Sequence, residues 1–225
     1  MFSRMQLLAG ADTVNSRFNV KCGNPSLLIP NGEISGFDHA AHPVIIHESG
    51  ELICDNFQWG LVPPDWRKKP EDIWNHTISA KLEYINKRYA WQKVSCNRCL
   101  VPATAYYEYH WNDPKGHSKT KYLIKNKTAE LFALAGLFSL WQSPNGVSLK
   151  TFAVCTTEAN EIMEFVHNKD AEKNYHRMPI MINKGDENAW LDTTIPFGDF
   201  AFPNYKPSLV AEPVTKNQPA QQKLF

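Results

Sequence analysis

From residue 98 to residue 156 the chain is a succession of apolar runs of strand length, each cut by turn residues, and no other feature constrains its fold as much. Residues 98–111 (RCLVPATAYYEYHW) read as a buried strand, a turn and then an alternating strand. Asp113-Pro114-Lys115-Gly116 is a turn by residue type, because aspartate bonds its own following backbone, proline presets φ and glycine tolerates positive φ. KYLIKNK, LFALAGLFSLW and LKTFAVCTT follow, punctuated by Asn126-Lys127 and Pro144-Asn145-Gly146. The spacing predicts a meander of about four or five strands. Upstream, residues 44–62 read as two strands around Ser49-Gly50, a hairpin signal.

Helical signals are fewer, so the expected class is α+β. Thr157 is the expected cap of a helix starting at Glu158, with Ile162, Met163, Phe165 and Val166 as its apolar stripe and His167 and Asn168 at its end. Residues 79–94 are a second helix candidate, with Leu82, Ile85 and Tyr89 on one face. The segment ENAWLD, after Lys184-Gly185-Asp186, is expected to turn helical. There is no internal repeat. One domain is expected over residues 1–215, with residues 216–225 as a flexible tail, polar until the final Leu224-Phe225.

With 225 residues, 43% of them hydrophobic, the chain is long enough to bury a full core. Collagen-like, coiled-coil and disordered classes are excluded on composition. No apolar run approaches the roughly 18 residues of a membrane span, and the N-terminus lacks a signal-peptide pattern. Five cysteines (Cys22, Cys54, Cys96, Cys99 and Cys155) are an odd number, which argues against a disulfide scaffold and for a reducing, cytoplasmic setting.

The net charge of +1 hides a segregation. Residues 67–127 hold 13 Lys and Arg against 5 Asp and Glu, leaving 11 against 18 elsewhere. Aromatic residues interleave or border the basic stretch, among them Trp66, Trp74, Tyr84, Tyr89, Trp91 and Trp111. Cations beside stackable rings suit single-stranded nucleic acid, which presents phosphates and base faces together. A solvated basic face over a buried aromatic core is the alternative.

Few residues stand out for chemistry. Cys96-Asn-Arg-Cys99 is a lone CxxC without the second ligand pair that a structural zinc needs, so no metal is expected. No GxGxxG, P-loop, GxSxG or HExxH occurs, which removes the commoner nucleotide-binding, hydrolase and zincin readings. Glu108 lies in Tyr106-Tyr107-Glu108-Tyr109, where alternation puts it on one face with Tyr106. A carboxylate among rings loses hydration, which suits it to proton transfer; pairing with Arg98 or another cation is the structural alternative. His167, at an expected helix end, is an acid/base candidate near neutrality, and His176 competes for the role.

The order of several segments is specific as a set. Phe18-Asn19-Val20, Trp59-Gly60-Leu61-Val62-Pro63, Ser79-Ala80-Lys81-Leu82-Glu83, Arg98-Cys99-Leu100-Val101-Pro102-Ala103, Tyr107-Glu108-Tyr109, Ala135-Gly136-Leu137-Phe138, Thr156-Thr157-Glu158-Ala159-Asn160 and Arg177-Met178-Pro179 follow one another. Over roughly residues 1–215 the chain resembles the SRAP family, the SOS response-associated peptidases or abasic-site-shielding proteins. The resemblance implies a compact α+β domain around a β-barrel-like core. It implies binding of single-stranded DNA and capture of abasic sites, without a cofactor. In that family a cysteine follows the initiator methionine. Its α-amine attacks the ring-opened abasic aldehyde to give a Schiff base, and its thiol then closes a thiazolidine. An α-amine, with an unperturbed pKa of about 8, is substantially neutral in the cell.

Carried onto this sequence, the resemblance assigns Glu108 and His167 as acid/base groups. Ser79 stands where the family has an asparagine near the reacting centre. Arg4, Asn19, Lys81 and Arg177, together with Trp66 of the basic stretch, are the expected nucleic-acid contacts. Three departures matter. Ser79-Ala80-Lys81 replaces Asn-Ala-Arg, so a point charge stands in for a forked phosphate contact. Residues 169–176 are inserted before Arg177. Phe2 occupies the position of the nucleophilic cysteine, so no thiazolidine can close there.

Three functional readings follow: a DNA-repair protein that senses abasic sites with covalent capture compromised, a non-catalytic single-strand-binding module, and a self-processing peptidase. The expected setting is the cytoplasm, at the nucleoid. The ending Gln221-Gln222-Lys223-Leu224-Phe225 resembles peptides that dock on the bacterial sliding clamp, with a polar Gln221 and two apolar anchors on a leash.

Overall fold

The computed structural model describes residues 2–23, 31–169 and 176–215. The elements run β1 (Arg4–Leu7), α1 (Ala11–Phe18), β2 (Lys21–Cys22), β3 (Asn31–Ser35), β4 (Ala41–Glu48), β5 (Glu51–Trp59), β6 (Ser79–Lys81), α2 (Tyr89–Gln92), β7 (Arg98–Ala103), β8 (Ala105–Trp111), β9 (Lys119–Asn126), β10 (Phe132–Gln142), β11 (Ser148–Glu158), α3 (Glu161–Val166), β12 (Arg177–Pro179), β13 (Met181–Ile182), α4 (Glu187–Leu191) and β14 (Leu209–Pro213).

The core is a closed five-stranded barrel in the order β4-β7-β10-β11-β5, with β5 returning to β4. Five strands cannot alternate direction around a ring, so one pair must run parallel. That pair is β5–β11, with Gln58 opposite Thr151 and Trp59 opposite Phe152; the other four are antiparallel. The Ser49-Gly50 hairpin forms as expected, with both residues at positive φ (52° and 88°), the two-residue turn that matches strand twist. Barrel strands are buried on both faces, which is why they read as continuous apolar runs rather than alternating ones. Neighbouring residues accordingly fall into two clusters: Ile45, Leu100, Ala133 and Ala153 in one, Val44, Val101, Leu134 and Phe152 in the other.

A second, wholly antiparallel sheet is ordered β3-β1-β8-β9-β14. The chain passes into it from the barrel at Thr104, whose N–H donates to the Gln6 carbonyl (2.9 Å) and whose hydroxyl accepts from Leu8 N–H (3.1 Å). The expected meander is therefore corrected. Five strands do lie between residues 98 and 158, but β8 and β9 leave the barrel, and β10 returns to pair with β7.

Two helix expectations are also corrected. Residues 79–94 are not one helix. Ser79–Lys81 adds as a short parallel strand on the edge of β11, a 3-10 turn follows at Leu82–Tyr84, and only Tyr89–Gln92 is α-helical. The apolar spacing reflects a winding chain that buries Leu82, Ile85, Trp91 and Val94, while Tyr89 is exposed. Thr157 does not cap a helix, because β11 continues through Glu158 to pair with Arg177. The cap is Asn160, whose side chain accepts from Met163 N–H (3.0 Å), and the stripe narrows to Met163 and Val166. The ENAWLD expectation holds as α4. The tail from residue 216, with Gln221, Leu224 and Phe225, lies outside the described residues. Among those residues no helix is long and apolar enough to cross a membrane.

Candidate active site and nucleic-acid interface

β1 sits between β3 and β8, and the Gly36 N–H donates to the Ser3 carbonyl (2.8 Å) just before it. This fixes position 2 against the second core cluster. Phe2 is 2% exposed. Its ring lies 5.6 Å from Trp59 and 5.6 Å, edge-on, from Tyr106. Trp59 is itself held by its indole N–H on the Ile78 carbonyl (2.8 Å), immediately before Ser79.

Glu108 lies in the middle of β8, opposite Tyr122, half-buried, with Oε1 accepting from the Tyr109 N–H (3.0 Å). It shares a strand face with Tyr106 and His110. Arg98 is not its partner. That guanidinium is buried and donates to the carbonyls of Trp190 (3.1 Å), Asp192 (3.0 Å) and Ile195 (2.7 Å).

α3 packs over this face. The Tyr106 hydroxyl donates to Met163 Sδ (3.4 Å). Beyond the helix, Asn168 clamps the end of β8, accepting from Trp111 N–H (2.7 Å) and donating to its carbonyl (2.9 Å). His110 Nδ1 lies 2.7 Å from the Phe165 carbonyl. These bonds seat His167, the C-cap of α3, on the side of β8 that carries Glu108. His167 is 6% exposed, and its Nδ1 lies 3.1 Å from the Arg177 carbonyl and 3.3 Å from the Arg177 N–H. Burial lowers its affinity for a proton, and the Glu108 carboxylate opposes that shift without cancelling it. Burial also pushes the Tyr106 phenol well up, which keeps it a neutral donor. His176 lies nearby, but its Nδ1 is 2.6 Å from the His167 carbonyl. A carboxylate and a largely neutral imidazole in one corner are a proton acceptor and donor pair.

The other expected contacts are held by bonds of their own. Arg4 is bound to Glu33 (2.8 Å), which Lys121 also contacts. Burial alone would raise the Glu33 carboxyl, but the hydrogen bonds from Lys121 and Arg4 outweigh it and hold it low. Ser79 is half-buried on β6, opposite Val154, and Lys81 stands 5.9 Å from the Tyr84 ring. Arg177 forks onto both carboxylate oxygens of Glu83, one at 2.9 Å, and donates to the Thr156 carbonyl (2.7 Å). Asn19 is the left-handed C-cap of α1 (φ 52°), where asparagine is favoured. Its neighbours Phe18 and Val20 belong to the first cluster, away from Phe2. Trp66 is half-buried; its indole N–H reaches the Lys69 carbonyl (3.0 Å), and its own carbonyl accepts from Trp141 (2.7 Å). Sequence reasoning missed the bracing roles of His110, Asn168 and Glu83. His110 was accessible through the same alternation that singled out Glu108; Glu83 carried no such signal.

The basic stretch presents rings and cations together. Lys87 (5.8 Å) and Arg88 (5.2 Å) join Lys81 at Tyr84. Lys93 stands 5.8 Å from Tyr89, Lys121 4.2 Å from Tyr107, and Lys119 4.9 Å and Lys169 5.4 Å from Trp111. The lone CxxC is split, with Cys96 exposed and Cys99 buried.

Comparison with known proteins is consistent with this geometry. The family model described as SOS response associated peptidase (SRAP) matches residues 1–217. The chain is 32% identical over 197 residues to the abasic site processing protein YoqW of Bacillus subtilis, covering 85% of this chain and 80% of that one. It is 29% identical over 170 residues to the abasic site processing protein HMCES of Gallus gallus, covering 64% of this chain and 47% of the relative. Among solved structures, a protein from Bacteroides thetaiotaomicron superposes with a TM-score of 0.82 at 22% identity, over 95% of this chain and 92% of that one, which shows the shared fold.

Proposed function

This chain belongs to the SOS response associated peptidase (SRAP) family, and from that premise we propose that it binds single-stranded DNA and senses abasic sites, with stable covalent capture compromised by Phe2. Its relatives YoqW and HMCES are named abasic site processing proteins. The observation that carries the reading is the packing of α3, which His167 caps, against the β8 face that carries Glu108, beside the buried side chain at position 2.

The chemistry follows from those groups. A ring-opened abasic sugar presents an aldehyde. An amine attacks its carbon, the oxygen gains two protons, both shed by the nitrogen, and leaves as water, and an imine remains. In this reading Glu108 and His167 carry those protons from the nitrogen to the departing oxygen. An imine is reversed by water. A thiol would add across it and close a ring; the phenyl ring of Phe2 has no nucleophilic atom to do so. The seated Phe2 ring favours a second reading of the same surface, a binding module without covalent chemistry. Self-cleavage has less support, because Cys22, Cys54, Cys99 and Cys155 are all buried and burial pushes each thiol up. The Gln221, Leu224 and Phe225 ending supports a further contact with a sliding clamp.

The test is incubation with a single-stranded oligonucleotide carrying one abasic site, followed by denaturing electrophoresis. The unaltered chain is expected to bind under native conditions and leave no adduct after denaturation, whereas Phe2→Cys leaves one. A denaturation-resistant adduct with Phe2 in place would overturn the assignment.

A further inference from the structure

We propose that the stacked Phe165–His110 pair is a shelf that seats the nucleobase next to the abasic position. The inference rests on the reading of the chain as a single-strand abasic-site binder and names the part of the ligand beside the lesion that the surface holds.

Phe165 is 58% exposed on a helix that buries only Met163 and Val166. A single exposed apolar residue needs no explanation, but this ring is not single. It stacks on His110 at 4.6 Å and 26°, and Tyr122 meets Phe165 edge-on at 6.1 Å. Tyr122 is the cross-strand partner of Glu108, and His110 is the next residue on the same face of β8. Phe165 likewise stands two residues before His167. The three rings therefore form one cluster beside the β8 face of Glu108, with Phe165 the most exposed of them. The contact between His110 Nδ1 and the Phe165 carbonyl holds the pair, and the Asn168 clamp holds the chain just beyond it. A ring held in place in this way loses little freedom when a ligand stacks on it.

Charge narrows the ligand further. Lys119 and Lys169 flank Trp111, which ends β8 on the face opposite His110, and offer positions for phosphates at that end of the strand. Glu161 and Glu164, exposed on α3, repel phosphates from the outer side of the helix. The backbone is thus drawn to the lysine side, and the ring is left to the flat face of a base. A base beside an abasic sugar has lost one stacking neighbour, so it is the base most ready to stack elsewhere.

The experiment measures affinity for two single-stranded oligonucleotides by fluorescence anisotropy. One carries a single tetrahydrofuran abasic analogue; in the other, both nucleotides flanking it are tetrahydrofuran as well. Phe165→Ala is expected to weaken binding of the first by about 5- to 150-fold, the range for loss of one stacked base. Phe165→Trp is expected to keep it, and both variants are expected to match the unaltered chain on the second oligonucleotide. A thermal melt confirms that each variant is folded. Unchanged binding of the first oligonucleotide by Phe165→Ala, or equal weakening of both, overturns the shelf while leaving the broader function standing. No binding of either by the unaltered chain overturns both.

Discussion

The Phe2 ring stands edge-on to the Tyr106 ring at 5.6 Å, on the strand face that carries Glu108 two residues further along. A packed aromatic therefore fills the place from which a cysteine would act. Replacing it by cysteine removes most of a buried ring, and truncating a buried phenylalanine costs about 3–5 kcal/mol at the alanine limit. The thermal midpoint of Phe2→Cys should fall, and the crosslinking assay belongs at a temperature well below it.

In the Phe2→Cys background, Glu108→Gln should slow adduct formation by about 10²–10⁴-fold, the usual worth of a positioned proton carrier. His167→Gln should act in the same direction. His176→Gln should leave the rate nearly unchanged, because its Nδ1 faces the His167 carbonyl. The check is the single-turnover rate on a denaturing gel, and equal rates for Glu108 and Gln would remove the acid/base assignment.

Binding to single-stranded DNA should weaken with salt by about 0.7 log unit in affinity per log unit of salt for each phosphate neutralised. Lys119→Ala and Lys169→Ala together should make that slope shallower by about 1.4, in a titration between low and physiological salt. An unchanged slope would move the phosphate track elsewhere on the surface.

His42 sets a pH dependence of stability. It is fully buried, its Nε2 lies 2.8 Å from the Pro102 carbonyl, and its Nδ1 finds no partner among the described residues. Burial lowers its pKa to about 4, against an ordinary value of 6.5. Between those values the unfolded chain binds the proton and the folded chain does not. Stability from this group is therefore present above 6.5 and lost as pH falls towards 4, by roughly 3 kcal/mol in all. Urea denaturation should show this fall, and His42→Gln should flatten the curve across the window even if it starts lower.

Arg98→Met should cost about 2–4 kcal/mol, because the carbonyls of Trp190, Asp192 and Ile195 lose their donor in an enclosed place. Arg98→Lys should recover only part of that, since one ammonium does not reproduce a planar fork. Chemical denaturation midpoints give the comparison; two variants as stable as the unaltered chain would make this arginine dispensable.

A peptide of residues 216–225 should bind the sliding clamp of the same cell, and the Leu224→Ala/Phe225→Ala peptide should not. Equal binding by both peptides, or none by either, would end the idea.

Local signals lay open in the sequence wherever the decisive forces act between near neighbours. The Ser49-Gly50 turn, the strand runs from residue 98 and the alternation of Tyr106 with Glu108 are set by backbone sterics and a two-residue period, so they are legible without a structure. Edges and partners were not legible. Ser79–Lys81 became a strand because β11 offered an open edge, and the barrel closed because β5 met β11 in parallel across more than ninety residues of chain. Arg177 forks onto Glu83 and Arg4 bonds Glu33, each a carboxylate that sequence distance concealed. The seat of α3 and His167 on β8 was likewise decided by Asn168 and His110 bracing one end of a short helix against one strand. Such contacts depend on which surfaces remain unpaired after the sheets have formed, and that is a property of the whole fold rather than of any segment.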